Sequence, residues 1–431
     1  LLLALLPILP ARAEVLTYDA IFKSPTLTGD WNGARGRLED AGLQLGGDEI
    51  LEALANPSAG KKRGAVAEGR FELFANVDLG KAFGWQGAIL HANAYQIHGE
   101  GLTAHELGNL LTVSNIEAAP ATRLFTLWLQ QSLAGDTISL RIGQIAADDE
   151  FFVSQYATLF VNSTFGWPAI LGINLPSGGP AYPEARPGMR ARFALSPELT
   201  LSAALFSGDP RADKSGFDFH MNGDVFAMSE LALSTNLLAL PGTAKLGAWV
   251  HSGRFDDQRY DAAHLPLANP LSDGIPAKHS GDDGFYVILD QLLWRKTDTS
   301  DAGLGAFLRL GGNAGDRNLI ELHIDGGLTY AAPFGRDNDL AGIGMSYEQV
   351  GAGQRGLAQD YSRLTGTSVP EPDFESALEI SYQAQMAAWW IVQPDLQWII
   401  HPGGRLLNPS SPAAHGDAGA LVLGLRTAIA L

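Results

Sequence analysis

The residues of this chain that could do chemistry recur at every second position. In "RFELFANVDL", Arg70, Glu72, Asn76 and Asp78 share one parity, while Phe71, Leu73, Ala75, Val77 and Leu79 share the other. His91 and Asn93 follow in "LHANA", Arg141 and Gln144 in and beside "TISLRIG", and Arg190 and Arg192 in "GMRARFAL". Rows of guanidinium, carboxylate, amide and imidazole groups donate and accept hydrogen bonds along a surface. They are not grouped as nucleophile, base and orienting acid; His and Ser are scattered, with no nucleophile elbow. The chemistry they suit is reversible contact with water and polar solutes, and no enzyme is expected.

Only strands place alternate residues on opposite faces. The same alternation returns in "LTLSAALF", "GAFLRLGG", "SALEISYQAQM" and "ALVLGLRTAIAL". Each segment is roughly ten residues long, the length that crosses a bilayer when tilted by about 45°. The pattern predicts about sixteen strands, an even number as in bacterial barrels. Their centres fall near residues 49, 74, 91, 128, 141, 192, 203, 233, 248, 289, 307, 325, 345, 382, 398 and 425. Short connections with turn chemistry ("AGD" at 134–136, "SPE" at 196–198, "PGT" at 241–243, "VQPD" at 392–395) alternate with long ones at 98–122, 146–187, 208–227, 254–283, 351–374 and 402–417.

A polar face could line a core, meet bulk water outside a sandwich, or surround a wet lumen. A core lined by Arg70, Glu72, Asp78, Arg141, Arg190, Arg192, Glu379 and Arg426 would bury charges at several kcal/mol each. Span length, strand number and loop alternation together favour the lumen. The expected fold is all-β: an antiparallel transmembrane β-barrel of about sixteen strands. Closure is required, because an open sheet edge in hydrocarbon leaves backbone groups unpaired.

Composition agrees. Apolar residues make up 46% and charged residues 18%, with 50 glycines, which suits many strands and turns. There is no cysteine, hence no disulfide or thiolate metal site. The opening "LLLALLPILPARAEV" reads as the end of a secretory signal peptide cleaved after Ala13. Residues 1–13 are therefore assigned to a signal-peptide remnant, 14–42 to an N-terminal periplasmic segment with a short helix, and 43–431 to the barrel. In that helix Asp30 is the candidate N-cap, Arg37 to Ala41 continue it, and Gly42 ends it in the left-handed conformation. A net charge of −18, spread along the chain, argues against nucleic acid as a partner.

Several spellings are set aside. "GAGQRG" at 351–356 matches a dinucleotide fingerprint but lacks a βαβ context and reads as loop. "HELGN" at His105 lacks the second histidine of a zinc protease. "NST" at Asn162 is an N-glycosylation spelling without the machinery to use it. The acid-rich "GDPRAD" and "SGDDG" lack calcium-ligand spacing. No metal or cofactor is expected. Trp85, Trp128, Trp249, Trp294, Trp389, Trp390 and Trp398 fall near strand ends or within strands, where an interfacial girdle would hold several of them.

Six blocks in matching order, "LTGDWNGARGRLEDAG", "SNIEAAPATRLFTLWLQQSL", "LRIGQIAADDEFF", "LFVNSTFGWP", "PSGGPAYPEARPGMR" and "VQPDLQWIIHPGG", resemble the carbohydrate-selective outer-membrane porin family (OprB type). The resemblance covers nearly the whole mature chain. It implies a sixteen-stranded barrel in the Gram-negative outer membrane, usually a homotrimer among lipid and lipopolysaccharide, through which small sugars diffuse. It also implies a lumen narrowed by inward-folded loops, and on that analogy Glu117 in "SNIEA" is expected at the constriction. Opposite it, Arg70, Glu72, Asn76, His91, Asn93, Arg141, Gln144, Arg190 and Arg192 are expected to project inward. Asp148, Asp149 and Glu150 are expected to anchor the inserted loop to wall arginines. No strand carries a row of alternate aromatics on which a sugar would slide. Alternatives of other classes are a general or organic-acid porin, an outer-membrane enzyme, and an exported soluble sugar-binding β-protein.

Overall fold

The computed structural model describes residues 24–431 except 59, 209–214, 218, 222, 238, 297–301 and 407–418. The proposed signal-peptide remnant and most of "GDPRAD" lie outside the described residues. The strands are β1 (Leu43–Asn56), β2 (Gly64–Asp78), β3 (Ala88–Gly99), β4 (Ala121–Leu133), β5 (Ile138–Ile145), β6 (Arg186–Ala194), β7 (Leu199–Ser207) and β8 (Val225–Leu237), followed by β9 (Leu240–Asp261), β10 (Pro276–Arg295), β11 (Gly303–Asn313), β12 (Ile320–Ala331), β13 (Leu340–Val350), β14 (Phe374–Ala387), β15 (Trp390–Ile400) and β16 (Ala420–Ala430). Every expected centre lies inside its strand.

Each strand pairs antiparallel with its sequence neighbours, and β1 closes the ring on β16 from Asp48 opposite Ala430 to Ala55 opposite Leu423. Closure leaves the sheet no edge, as a lipid environment demands. The apolar parity faces outward: Leu73, Leu140, Ile142, Met189, Leu205, Val250, Phe285 and Leu425 are 43–58% exposed. A sandwich would bury these residues. Here they form the lipid-facing surface, and the polar parity turns inward.

The ends differ in detail from expectation. The N-terminal helix α1 spans Ala34–Asp40, and Gly33 rather than Asp30 occupies its N-cap. Asp30 instead accepts the N–H of Arg35 with its backbone carbonyl. Gly42 has φ 90°, and a Cβ there would lie 2.7 Å from the carbonyl oxygen of Asp78, so the position requires glycine. A second short helix, α2 (Leu79–Phe83), fills the turn after β2, capped by the Asp78 carboxylate, which accepts from Gly80 and Lys81 N–H.

"AGD" and "SPE" are turns, but "PGT" and "VQPD" lie inside β9 and β15. Their hairpins turn earlier, where Leu237 pairs with Leu240 and Ala387 with Trp390. The expected loop 254–283 is largely strand, since β9 and β10 run on to Asp261 and from Pro276. "GAGQRG" is not loop: it opens helix α3 (Ala352–Thr365), whose first N–H, at Ala352, is taken by the Glu321 carboxylate at 2.9 Å. A carboxylate already occupies the end that a phosphate would need.

Candidate solute path through the lumen

The connection between β5 and β6 folds into the barrel and fills one side of it. Its Phe151, Phe152, Ile170, Leu171 and Leu175 pack on inward side chains of the wall, including Phe206, Phe226, Met228, Trp249, Tyr286 and Ile288. Phe152 stacks on Tyr286 with ring centroids 4.1 Å apart. Each buried aromatic contributes on the order of 2 kcal/mol of apolar transfer. This side of the lumen is a protein core in its own right.

Burying a loop there requires partners for its backbone. Wall carboxylates supply them. Glu379 accepts the N–H groups of Val161 and Asn162 at 2.6 and 2.9 Å, and Glu230 accepts from Phe152 at 3.1 Å. Arg309, fully buried, donates to the carbonyls of Phe152, Thr164 and Gly166 and ion-pairs with Asp325. The loop between β3 and β4 is held similarly: Glu375 accepts from Leu110 and Leu111, each at 2.7 Å. Tyr182 donates to the carbonyl of Ile116 at 2.8 Å and so ties the two loops together.

Among the described residues, free space runs along the wall formed by β16 and β1 to β5, where two cavities share Tyr95, Phe125 and Asp149. One, of about 520 Å³, is bordered by Arg70, Glu117, Asp148, Trp167, Tyr182 and Arg426. The other, of about 320 Å³, lies toward the short-turn end and is bordered by Glu72, His91, Asn93, Trp128, Arg141 and Glu150. Both volumes suit small polar solutes. By the topology of outer-membrane barrels the short turns are periplasmic, so the larger cavity is the outer one.

Of the residues expected at the site, Arg70, Glu72, His91, Asn93, Arg141 and Glu117 border this space. Arg70 contacts Asp48 at 3.0 Å and Glu72 at 3.3 Å, and lies over the Tyr95 ring. Asn93 donates to Glu72 at 2.8 Å and accepts from Thr126. His91 stacks on one face of the Trp128 region while Arg141 sits 4.0 Å from the Trp128 centroid. Glu117 accepts from the Thr103 N–H and, at 2.7 Å, from its hydroxyl. Burial pushes the Glu117 carboxyl above its usual range, against these hydrogen bonds.

Four expectations change. Asn76 borders neither cavity; it accepts from His91 Nδ1 at 2.6 Å and donates to Gln44. Arg190 stands behind the surface, bound to Ser139, Gln130 and Glu150. Arg192, nearer the short-turn end, is exposed and borders neither cavity. Gln144 has the opposite parity to Arg141, and its amide donates to the carbonyls of Leu124 and Phe125, where Phe125 is the extra residue of a bulge in β4.

Sequence reasoning missed the aromatics. Trp128 and Trp249, read as girdle candidates, point inward, and Trp249 is buried against the inserted loop. Tyr95, Phe125 and Tyr182 form one cluster drawn from two strands and a loop, so no single strand displays a row. Glu150 anchors the loop to Arg141 and Arg190, at 2.9 and 2.7 Å, and Asp148 accepts the Tyr182 N–H. Asp149 differs from both: it is exposed to the lumen, borders both cavities, and among the described residues makes no hydrogen bond or ion pair.

Comparison with known proteins agrees with this geometry. The family described as "Carbohydrate-selective porin, OprB family" matches residues 62–431. The chain is similar to "Porin B" of Pseudomonas aeruginosa, with 24% identity over 416 aligned residues covering 88% of each protein. Among solved structures, the high-pH structure of Pseudomonas putida OprB aligns with a TM-score of 0.85 at 22% identity, covering 97% of this chain and all of the other. The low-pH structure of the same protein aligns at 0.59 and 17%, covering 95% and 99%. The sixteen-stranded closed ring, its outward apolar face and the family match over most of the sequence lead to one conclusion: the chain belongs to the OprB family of carbohydrate-selective porins, non-enzymatic channels of the Gram-negative outer membrane.

Proposed function

We propose that small neutral carbohydrates cross this barrel by passive diffusion along an off-centre path through the two cavities. Arg70, Glu72, His91, Asn93 and Arg141 would line it on the wall and Glu117 on the inserted loop, with Asn76 and Arg190 holding that lining in place. The observation that carries the reading is charge pairing. Each arginine bordering the path touches a carboxylate: Arg70 with Asp48, Arg141 with Glu150, Arg426 with Glu52. Such a surface offers hydrogen bonds to hydroxyl groups with no bare guanidinium to hold a carboxylate solute, which disfavours an organic-acid channel. Contact stays weak, as throughput requires.

Swelling of proteoliposomes in isosmotic pentoses, hexoses and disaccharides tests this. Monosaccharides should enter readily and disaccharides slowly; equal rates for all solutes, or none, would refute it. A homotrimer among lipid and lipopolysaccharide belongs to the same proposal. An apolar outer groove of about 700 Å³, built partly on the small residues Ala191, Ala203, Ala227 and Ala248, supports a second copy packing there. Light scattering of the detergent-solubilised protein would give three subunits if so, and one if not.

A further inference from the structure

We propose that Asp149 is the residue that makes this path discriminate neutral from acidic carbohydrates. The inference rests on the diffusion path proposed above and goes beyond it by naming one determinant of selectivity.

Asp149 lies in the run Asp148-Asp149-Glu150, whose members have different surroundings. Glu150 is spent on Arg141 and Arg190, and Asp148 holds the Tyr182 N–H at 2.9 Å. Asp149 has no such partner among the described residues, yet it borders both cavities where they share the rings of Tyr95 and Phe125. A solute passing from one cavity to the other therefore passes the edge of this mostly buried aromatic cluster on one side and a free carboxylate on the other. That pairing suits a sugar, whose carbons touch the apolar edge of the cluster while its hydroxyls donate to the carboxylate.

The same carboxylate repels an anion. Arg141 acts on Asp149 in the opposite sense, but it is shared with Glu150 at 2.9 Å, so one guanidinium faces two carboxylates and the balance at the neck stays negative. Like charges about 5 Å apart in a narrow protein-lined passage interact strongly enough to change a partition ratio several-fold, even at the high effective dielectric of wetted sites. A sugar bearing a C1 carboxylate keeps almost the size and hydroxyl pattern of its neutral parent. Only the charge at the neck distinguishes the two.

The experiment measures proteoliposome uptake of a labelled aldohexose and of the corresponding aldonate, and reads the aldonate-to-hexose rate ratio for the wild type, Asp149→Asn and Asp149→Glu. Removing the charge should raise the ratio about fivefold, whereas Asp149→Glu, which keeps the charge, should leave it near the wild-type value. Heat-modifiable migration on gels establishes that each variant is folded. An unchanged ratio in folded Asp149→Asn, with hexose still entering the wild type, overturns the role of Asp149 alone. A ratio raised equally by both substitutions also overturns it, since the loop's shape rather than its charge would then decide. A wild type that carries neither solute overturns the diffusion path as well.

Discussion

Arg141 and Arg190 stand directly opposite one another on paired strands, and the Glu150 carboxylate is held between them, 2.9 Å from Arg141 Nη1 and 2.7 Å from Arg190 Nε. Two like charges in register repel across a strand pair. One loop carboxylate turns that repulsion into attraction for the loop. The ionic contacts that border the path therefore also fix the inserted segment to the wall.

Glu150→Gln should strip this neutralisation and leave two guanidiniums beside the smaller cavity. The channel should then shift toward anions, with the chloride-to-potassium permeability ratio rising about threefold or more. Reversal potentials in a salt gradient across a planar bilayer measure it. No shift would mean that these two guanidiniums, although Gln130 also accepts from both, do not set the charge that permeating ions meet.

Arg309→Ala removes a fully buried guanidinium and abandons Asp325, itself buried, together with three loop carbonyls. Breaking a buried pair by deleting one partner costs about 3–5 kcal/mol. The folded form should convert to the slow-migrating unfolded form at a lower temperature on heat-modifiability gels. Since Arg309 borders neither cavity of the path, solute selectivity in the surviving folded fraction should move far less than stability.

Although Asp149 is accessible from the lumen, enclosure by the surrounding protein desolvates its carboxyl and pushes it up to about 6, with Arg141 opposing, and burial together with Asp149 pushes Asp148 up to about 7. A raised carboxyl pKa means protonation at milder acidity, so negative charge at the neck is complete above these values and lost below them. Lowering pH from about 8 to about 5 should reduce cation preference and speed aldonate uptake relative to hexose. Arg70, Arg141, Glu72 and Glu150 face the same space, as does the His91 imidazole, so repeating the scan with His91→Gln separates any share of that ring. A flat profile with His91→Gln would remove the aspartates from the selectivity argument.

The barrel was legible in the sequence because its physics is local. A strand with lipid on one side and water on the other must alternate, and β5, with Ile138, Leu140 and Ile142 opposing Ser139 and Arg141, shows the rule in few residues. What alternation cannot show is a break in itself. The extra residue Phe125 in β4 gives the Gln144 amide two carbonyls to satisfy, and a reading by pattern put that amide in the lumen. The missing βαβ context of "GAGQRG" argues for a loop and hides helix α3, whose Gly353 and Gly356 lie buried where a side chain would strike Gln258 or Arg259.

The lumen was less legible than its wall. Trp128 and Trp249 have the composition of a lipid-interface girdle, and only strand parity together with loop packing turns them inward. Asp148, Asp149 and Glu150 are chemically similar neighbours, yet one serves a backbone N–H, one serves two guanidiniums and one faces the solute space. Those assignments depend on Tyr182 and Arg190, distant in sequence, and no local signal carries them.

The inserted segment packs its large apolar cluster on the wall from β7 onward and touches the opposite strands at fewer points, so the two cavities open along those strands. The molecule is thus half tube and half solid. Redesign of the bore can be confined to inward positions of five consecutive strands and the strand that seals the ring, while the far half keeps the cylinder from collapsing.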